Sequence, residues 1–92
     1  MTSHFSVFEQ LMKMCLEKPE LAREIWDLFF TPEEKEDMNK RYLIVEALLK
    51  QKKTQRQIAK DLDVSIAKIT RGSNELKRIK ADLLDYLHQH LG

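Results

Sequence analysis

The chain has 92 residues, of which 42% are hydrophobic and 34% charged, and its formal net charge is +1. This length corresponds to roughly one domain, and the apolar share argues against a wholly disordered chain. One cysteine excludes an intrachain disulfide, three histidines argue against a zinc site, and no apolar run approaches the ~18 residues of a membrane span. The N-terminus also lacks a basic region followed by an apolar one. We therefore expect a single domain over residues 1–92, without a membrane partner, in the cytoplasm.

The first half of the chain predicts three helices. Few glycines and prolines and no period-2 alternation of apolar residues favour an all-α chain. Apolar residues at helical spacing predict a first helix over about residues 4–17, and Pro19 suits the first turn of a second. The segment Thr31-Pro32-Glu33-Glu34 predicts an N-cap, a first-turn proline and a capping box. A third helix follows it to about Lys50.

The second half predicts three more helices. Thr54 with Gln57 has the spacing of another capping box, which opens a short helix through about Asp61. Ser65 is the predicted cap of a fifth helix to about Arg78. A last helix contains the apolar residues Leu83, Leu84, Tyr86 and Leu87.

Residues 54–78 have the pattern of a helix-turn-helix, in which two short crossed helices are joined by a three- to four-residue turn. Ala59 is small where the second helix must approach the first, and Asp63 tolerates the left-handed conformation that such a turn favours. The apolar positions that would face the interior are Ile58, Leu62, Val64 and Ile69.

Charge is distributed unevenly along the chain. Residues 1–39 have a net charge of −5, residues 40–80 of +8 and residues 81–92 of −2. A basic centre in a nearly neutral chain favours a local anionic partner such as nucleic acid, although a solvated charged face has the same composition.

The predicted helix-turn-helix has side chains suited to double-stranded DNA. Small and short polar residues at the start of its second helix allow close approach to base edges, thymine methyl groups and phosphates. The residues expected there are Ser65, Ile66, Ala67 and Thr70, with Gln55, Arg56 and Lys60 on the preceding helix contacting the backbone.

No pattern in the chain indicates catalysis, and we expect a protein that is not an enzyme. Cys15 lies on an apolar stripe, which is typical of a structural thiol. His88 and His90 are two residues apart on a helix and do not face each other, so they do not predict a metal pair.

The hexapeptide Ile69-Thr70-Arg71-Gly72-Ser73-Asn74, followed by Leu76-Lys77, resembles the tryptophan repressor family. A glycine inside a helix costs roughly 1 kcal/mol relative to alanine, so a plain helix-turn-helix has no need of it. The resemblance spans residues 28–78 and includes Thr31–Glu34, Arg41, residues 44–49 and Gln55-Arg56.

The resemblance implies an interlocked homodimer of six-helix chains. Such a dimer binds a palindromic operator when L-tryptophan, its corepressor, is bound, and it represses genes of tryptophan supply. No other cofactor and no metal is implied.

The resemblance also implies roles in ligand binding. Arg41 matches the arginine that stacks on the indole, Arg71 the one that pairs with the carboxylate, and Gly72 the site where the indole meets helix backbone; a guanidinium suits both arginine roles. Leu28 and Phe30 match positions whose carbonyls receive the ammonium group, and Thr31 lines the pocket. Where the family usually has a serine and a threonine, this chain has Glu75 and Lys68.

Two alternatives stay open on sequence grounds. One is a DNA-binding protein of the same type with another effector or none, because Lys68 and Glu75 could fill the pocket with ion pairs of their own. The other is a helical module whose basic stripe binds RNA or a protein.

Overall fold

The computed structural model describes residues 5–92, and helices make up nearly all of this segment. The helices are α1 over Phe5–Glu17, α2 over Ala22–Phe29, α3 over Pro32–Lys50, α4 over Gln55–Leu62, α5 over Ile66–Leu76 and α6 over Ala81–Leu91. A single 3-10 turn over Pro19–Leu21 precedes α2. No strand occurs within the described segment. The predicted all-α class is confirmed.

Both predicted capping boxes form. The Thr31 hydroxyl accepts a hydrogen bond from the Glu34 N–H at 3.1 Å, and the Glu34 carboxylate accepts one from the Thr31 N–H at 2.8 Å. Thr54 and Gln57 make the same reciprocal pair, at 3.2 and 2.8 Å. Each box gives hydrogen-bond partners to two N–H groups that the start of a helix leaves unpaired.

Two predicted boundaries differ from the structure, and one lies outside the described residues. Pro19 opens a 3-10 turn, and α-helical bonding begins only at Ala22. The fifth helix ends at Leu76 instead of about Arg78, because the Arg78 N–H bonds the Glu75 carbonyl at 3.0 Å and so tightens the last turn. Residue 4, the predicted start of the first helix, is not among the described residues.

The chain divides into two compact units, one ending at Lys35 and the other spanning Glu36–Gly92. In the first, α1 and α2 pack together, and the Trp26 and Phe30 rings stack with their centroids 4.6 Å apart. A cavity of about 390 Å³ in this unit is lined by Val7, Gln10, Leu11, Met14 and Phe29.

The second unit holds the buried core. Ile44 of α3 lies with Ile58 and Ala59 of α4 and with Ile69 of α5, and all four are buried. The partly buried residues around them are Ala47, Leu48, Leu62 and Val64. The four apolar positions of the predicted helix-turn-helix, Ile58, Leu62, Val64 and Ile69, therefore face the interior as expected.

Candidate nucleic-acid and ligand interface

Helices α4 and α5 pack against each other and are joined by a three-residue connection. Asp63 adopts the left-handed conformation there, with φ 54° and ψ 52°, and its N–H bonds the Lys60 carbonyl at 3.3 Å. The Ser65 hydroxyl accepts a hydrogen bond from the Lys68 N–H at 3.3 Å and so caps α5. The left-handed turn residue and the serine cap agree with the sequence prediction. Ala59, the small residue predicted where the helices meet, is buried in the same cluster as Ile69 of α5.

Most of the predicted DNA-contacting residues have exposed side chains. Gln55 is the exception, because it is half-buried and its side-chain carbonyl accepts a hydrogen bond from the Thr70 hydroxyl at 3.1 Å. This bond joins the first residue of α4 to the middle of α5 and leaves the Gln55 amide N–H groups as donors. The exposed set is Arg56, Lys60, Ser65, Ile66, Ala67 and Thr70.

The Gln55–Thr70 bond is a feature that sequence reasoning missed. Both residues were predicted to contact DNA separately, and their separation of fifteen positions has no local signal. The bond depends on how α4 and α5 cross, so only the tertiary structure shows it.

Gly72 is buried where α5 approaches α3. A Cβ at this position would lie 3.2 Å from Ile44 Cγ2 and 3.5 Å from Leu48 Cδ1. Contacts at 3.2 Å are tight for carbon atoms, so the glycine permits a close helix–helix approach. Gly72 thus has a packing role within the chain that is separate from its predicted contact with the indole.

The remaining ligand candidates of the second unit have exposed side chains. They are Arg41 on α3 and Lys68, Arg71 and Glu75 on α5. The Glu75 carboxylate lies 3.4 Å from Nη1 of Arg78, one turn further along the chain, and both side chains are exposed. Within residues 5–92, Arg41, Lys68 and Arg71 form no salt bridge. Three cationic groups therefore have no ionic partner in this part of the chain.

The ligand candidates of the first unit lie at the C-terminus of α2 and just after it. Leu28 is 78% exposed, whereas Phe30 is half-buried against Trp26. The position four residues after Leu28 is Pro32, which has no N–H to donate to the Leu28 carbonyl. The N–H four residues after Phe30 belongs to Glu34 and bonds the Thr31 hydroxyl instead.

Both carbonyls therefore lack their helical donor, at a helix end where the backbone dipole favours a cation. This is the chemistry that the predicted ammonium contact requires. Its sequence signal is the proline at the fourth position after Leu28. The Thr31 hydroxyl, by contrast, already has a structural role as the cap of α3.

Two features are absent from the described residues. None of the helices there is long and apolar enough to cross a membrane. No group of three or more His, Cys, Asp or Glu residues in that part of the chain could hold a metal ion. Cys15 lies half-buried on α1.

Comparison with known proteins decides the family. A model of the Trp repressor protein family matches residues 3–91. The chain belongs to the Trp repressor family. It is 45% identical over 78 residues to a Trp operon repressor homolog of Chlamydia caviae, and this aligned region covers 83% of this chain and 77% of the relative. Two further relatives with the same description come from Chlamydia trachomatis serovar D and Haemophilus influenzae strain PittEE. The Chlamydia trachomatis relative is 35% identical over 94% of both chains. The Haemophilus influenzae relative is 34% identical over 95% of this chain and 85% of its own.

Family membership confirms three of the sequence predictions. The resemblance drawn from residues 28–78 is correct, and the matched region extends beyond it at both ends. Members of the family are DNA-binding transcriptional repressors, so the chain is a regulator. It is not an enzyme. The individual ligand and DNA residues stay predictions.

Proposed function

We propose that this protein binds a palindromic operator as a homodimer loaded with L-tryptophan and represses genes of tryptophan supply. The observation that supports the proposal most directly is the family match over residues 3–91, which includes the α5 segment with Arg71 and Gly72. Relatives that match 94% and 95% of this chain are named for the trp operon.

The proposed ligand contacts use groups that the described residues leave available. A guanidinium binds a carboxylate through two parallel hydrogen bonds, and Arg71 is an exposed arginine without an ionic partner in residues 5–92. Arg41, similarly placed on α3, is suited to stacking on an indole. The carbonyls of Leu28 and Phe30 would receive the ammonium group. In this proposal L-tryptophan fixes the orientation of α5, and only the loaded dimer presents its helices to successive major grooves.

The first experiment is isothermal titration calorimetry of the protein with L-tryptophan, followed by gel shifts on candidate operator duplexes with and without the ligand. We expect saturable tryptophan binding and tighter operator binding when tryptophan is present. Operator binding that is independent of tryptophan would instead support a DNA-binding protein of the same type with another effector or none. Binding of RNA in preference to duplex DNA would contradict both.

Glu75 provides a sharper test of the ligand. A carboxylate facing the pocket would pair with the tryptophan ammonium, and a site built around a polar group rejects ligands that lack it. In the structure Glu75 pairs with Arg78, but an exposed pair of this kind contributes only ~0.2–1 kcal/mol and leaves the carboxylate free to turn. We propose the ligand-facing role.

The measurement compares L-tryptophan with indole-3-propionate, which lacks the amine. Wild type should prefer tryptophan by a wider margin than Glu75→Ser does. Arg78→Gln, which removes the partner but keeps the carboxylate, is the matched control and should retain the wide margin. An equal margin in wild type and Glu75→Ser would exclude the role of Glu75.

A further inference from the structure

Besides Lys60 and Lys68, which are already candidate contacts, four lysines of the second unit are exposed and form no salt bridge with another described residue. They are Lys50 at the end of α3, Lys52 in the loop that follows, and Lys77 and Lys80 between α5 and α6; we call them the distal lysines. None of them forms a salt bridge among the residues that the structure describes.

The neighbouring charges differ from the distal lysines because they have partners. The Lys53 ammonium bonds the Asp61 carboxylate, and the Arg78 guanidinium lies 3.4 Å from Glu75. The carboxylate of Asp82 accepts a hydrogen bond from the Leu83 N–H at 2.9 Å. Of the acids nearest in sequence, Asp61 and Glu75 are thus paired with other cations and Asp82 accepts a backbone hydrogen bond, whereas Glu46, four residues before Lys50, forms no salt bridge with it.

The two segments that hold the distal lysines meet at one cavity. This cavity, of about 450 Å³, has Gln51 and Lys77 in its wall together with Leu48, Leu49 and Ile79. Gln51 lies between Lys50 and Lys52 in the chain, and Lys80 directly follows Ile79. The distal lysines therefore lie in or directly beside segments that meet at this cavity, and together they form a candidate cationic surface.

This surface continues from the predicted DNA-contacting residues. Lys77 directly follows the last residue of α5 and keeps a helical backbone conformation, with φ −74° and ψ −14°, so it lies about two helical turns beyond Thr70 on the same side. Thr70 is bonded to Gln55, and Lys52 precedes Gln55 by only three residues. The distal lysines thus lie close in sequence to the start of α4 and to the C-terminal end of α5, whereas the predicted base contacts lie at the N-terminal end of α5.

We propose that the distal lysines bind backbone phosphates of duplex DNA outside the base pairs that the start of α5 contacts. The proposal rests on the family's DNA binding and adds a second, sequence-independent contact surface to it. A lysine ammonium is a compact point charge with three donors, which suits phosphate and does not distinguish bases. Each phosphate neutralised releases condensed counterions, so the surface should be visible in the salt dependence of binding.

The experiment measures the affinity for a mixed-sequence duplex of about 30 base pairs as a function of salt concentration. The test protein has all four distal lysines changed to glutamine, and circular dichroism verifies its helix content. The slope of log affinity against log salt should be shallower than that of wild type by up to about 7, since the proposed homodimer has eight distal lysines and each lost phosphate contact removes about 0.9.

The matched control is the double variant Lys53→Gln, Arg78→Gln. These cations lie beside the distal lysines but are already paired with acids, so we expect a slope change of less than about 1. Equal slope changes in the test and control proteins would overturn the proposal, because overall charge would then explain both.

Two further outcomes complete the test. An unchanged slope in the four-lysine variant would overturn the proposal outright. If the four-lysine variant lost more affinity for single-stranded RNA of equal length than for the duplex, the surface would be assigned to RNA instead. The response of wild type to L-tryptophan is measured separately, so a failure of the corepressor proposal leaves the slope comparison interpretable.

Discussion

Within residues 5–92, two residues other than glycine adopt the left-handed backbone conformation, Gln51 after α3 and Asp63 after α4, each with φ 54°. Both follow the end of a helix, where a left-handed residue lets the chain turn away. Asp63 belongs to the residue types that tolerate this conformation, whereas Gln51 does not. Gln51 is therefore the more strained of the two.

Gln51→Gly should stabilise the fold by roughly 0.5–1 kcal/mol. Glycine removes the left-handed strain, which raises the free energy of the native state by about 1–2 kcal/mol. The greater freedom of glycine in the unfolded chain offsets part of that gain. Urea denaturation followed by circular dichroism measures the change. Gln51→Ala keeps a Cβ and should show no such gain; equal stabilisation by glycine and alanine would show that strain is not the cause.

Arg71→Leu should lose at least about a hundredfold of the affinity for L-tryptophan while the helix content is unchanged. A ligand carboxylate that loses its cationic partner in a partly desolvated site costs several kcal/mol. Calorimetry at matched protein concentration gives the affinity. Arg78→Leu removes an arginine seven positions further along the chain. It is the control and should bind L-tryptophan with wild-type affinity. Unchanged affinity in folded Arg71→Leu would assign the carboxylate contact elsewhere.

At the scale of elements, the starts of α3 and α4 depend on short-range side-chain bonds, whereas the position of α5 depends on other helices. The capping boxes at Thr31 and Thr54 join residues three apart. Helix α5 is instead held by Ile69 in the core, by Gly72 against α3 and by Thr70 against α4.

Thr54→Ala should destabilise the second unit by about 1 kcal/mol, because the Gln57 N–H loses its acceptor at the start of α4. Thr54→Ser keeps the hydroxyl oxygen and should retain most of the stability. Thermal melts of the three proteins at equal concentration make the comparison. A loss in the serine variant as large as in the alanine variant would point to the threonine methyl group rather than the cap.

At the scale of the whole molecule, the described residues expose more large apolar side chains than a small monomer usually does. Val7 and Leu16 on α1 are 69% and 80% exposed, and Leu28 on α2 is 78% exposed. Small domains often bury such surface against a second subunit. This supports the proposed homodimer.

Sedimentation equilibrium at micromolar concentration should therefore give about twice the chain mass of 10.9 kDa. Leu16→Glu, which places a charge on the exposed apolar side of α1, should shift the equilibrium towards monomer or unfolded chain. Lys13→Glu on the same helix is the control. A folded monomer of wild type at this concentration would contradict the homodimer.

Local spacing along the sequence predicted the helices of this protein. Capping boxes, first-turn prolines and the left-handed Asp63 depend on residues within four positions of one another, so their effects can be predicted without the fold. The segment from Ile69 to Asn74 indicated the family only by its resemblance to the family's own segment; the glycine it places inside a helix is costly unless a contact requires it.

Only the tertiary structure decided which contacts those residues make. The Gln55–Thr70 bond and the approach of Gly72 to Ile44 join positions 15 and 28 residues apart in the chain. The segments that hold the distal lysines are far apart in sequence and meet only in the tertiary structure, at one cavity. Such contacts depend on how helices cross, and helix crossing is set by the packing of many side chains together rather than by any local pattern.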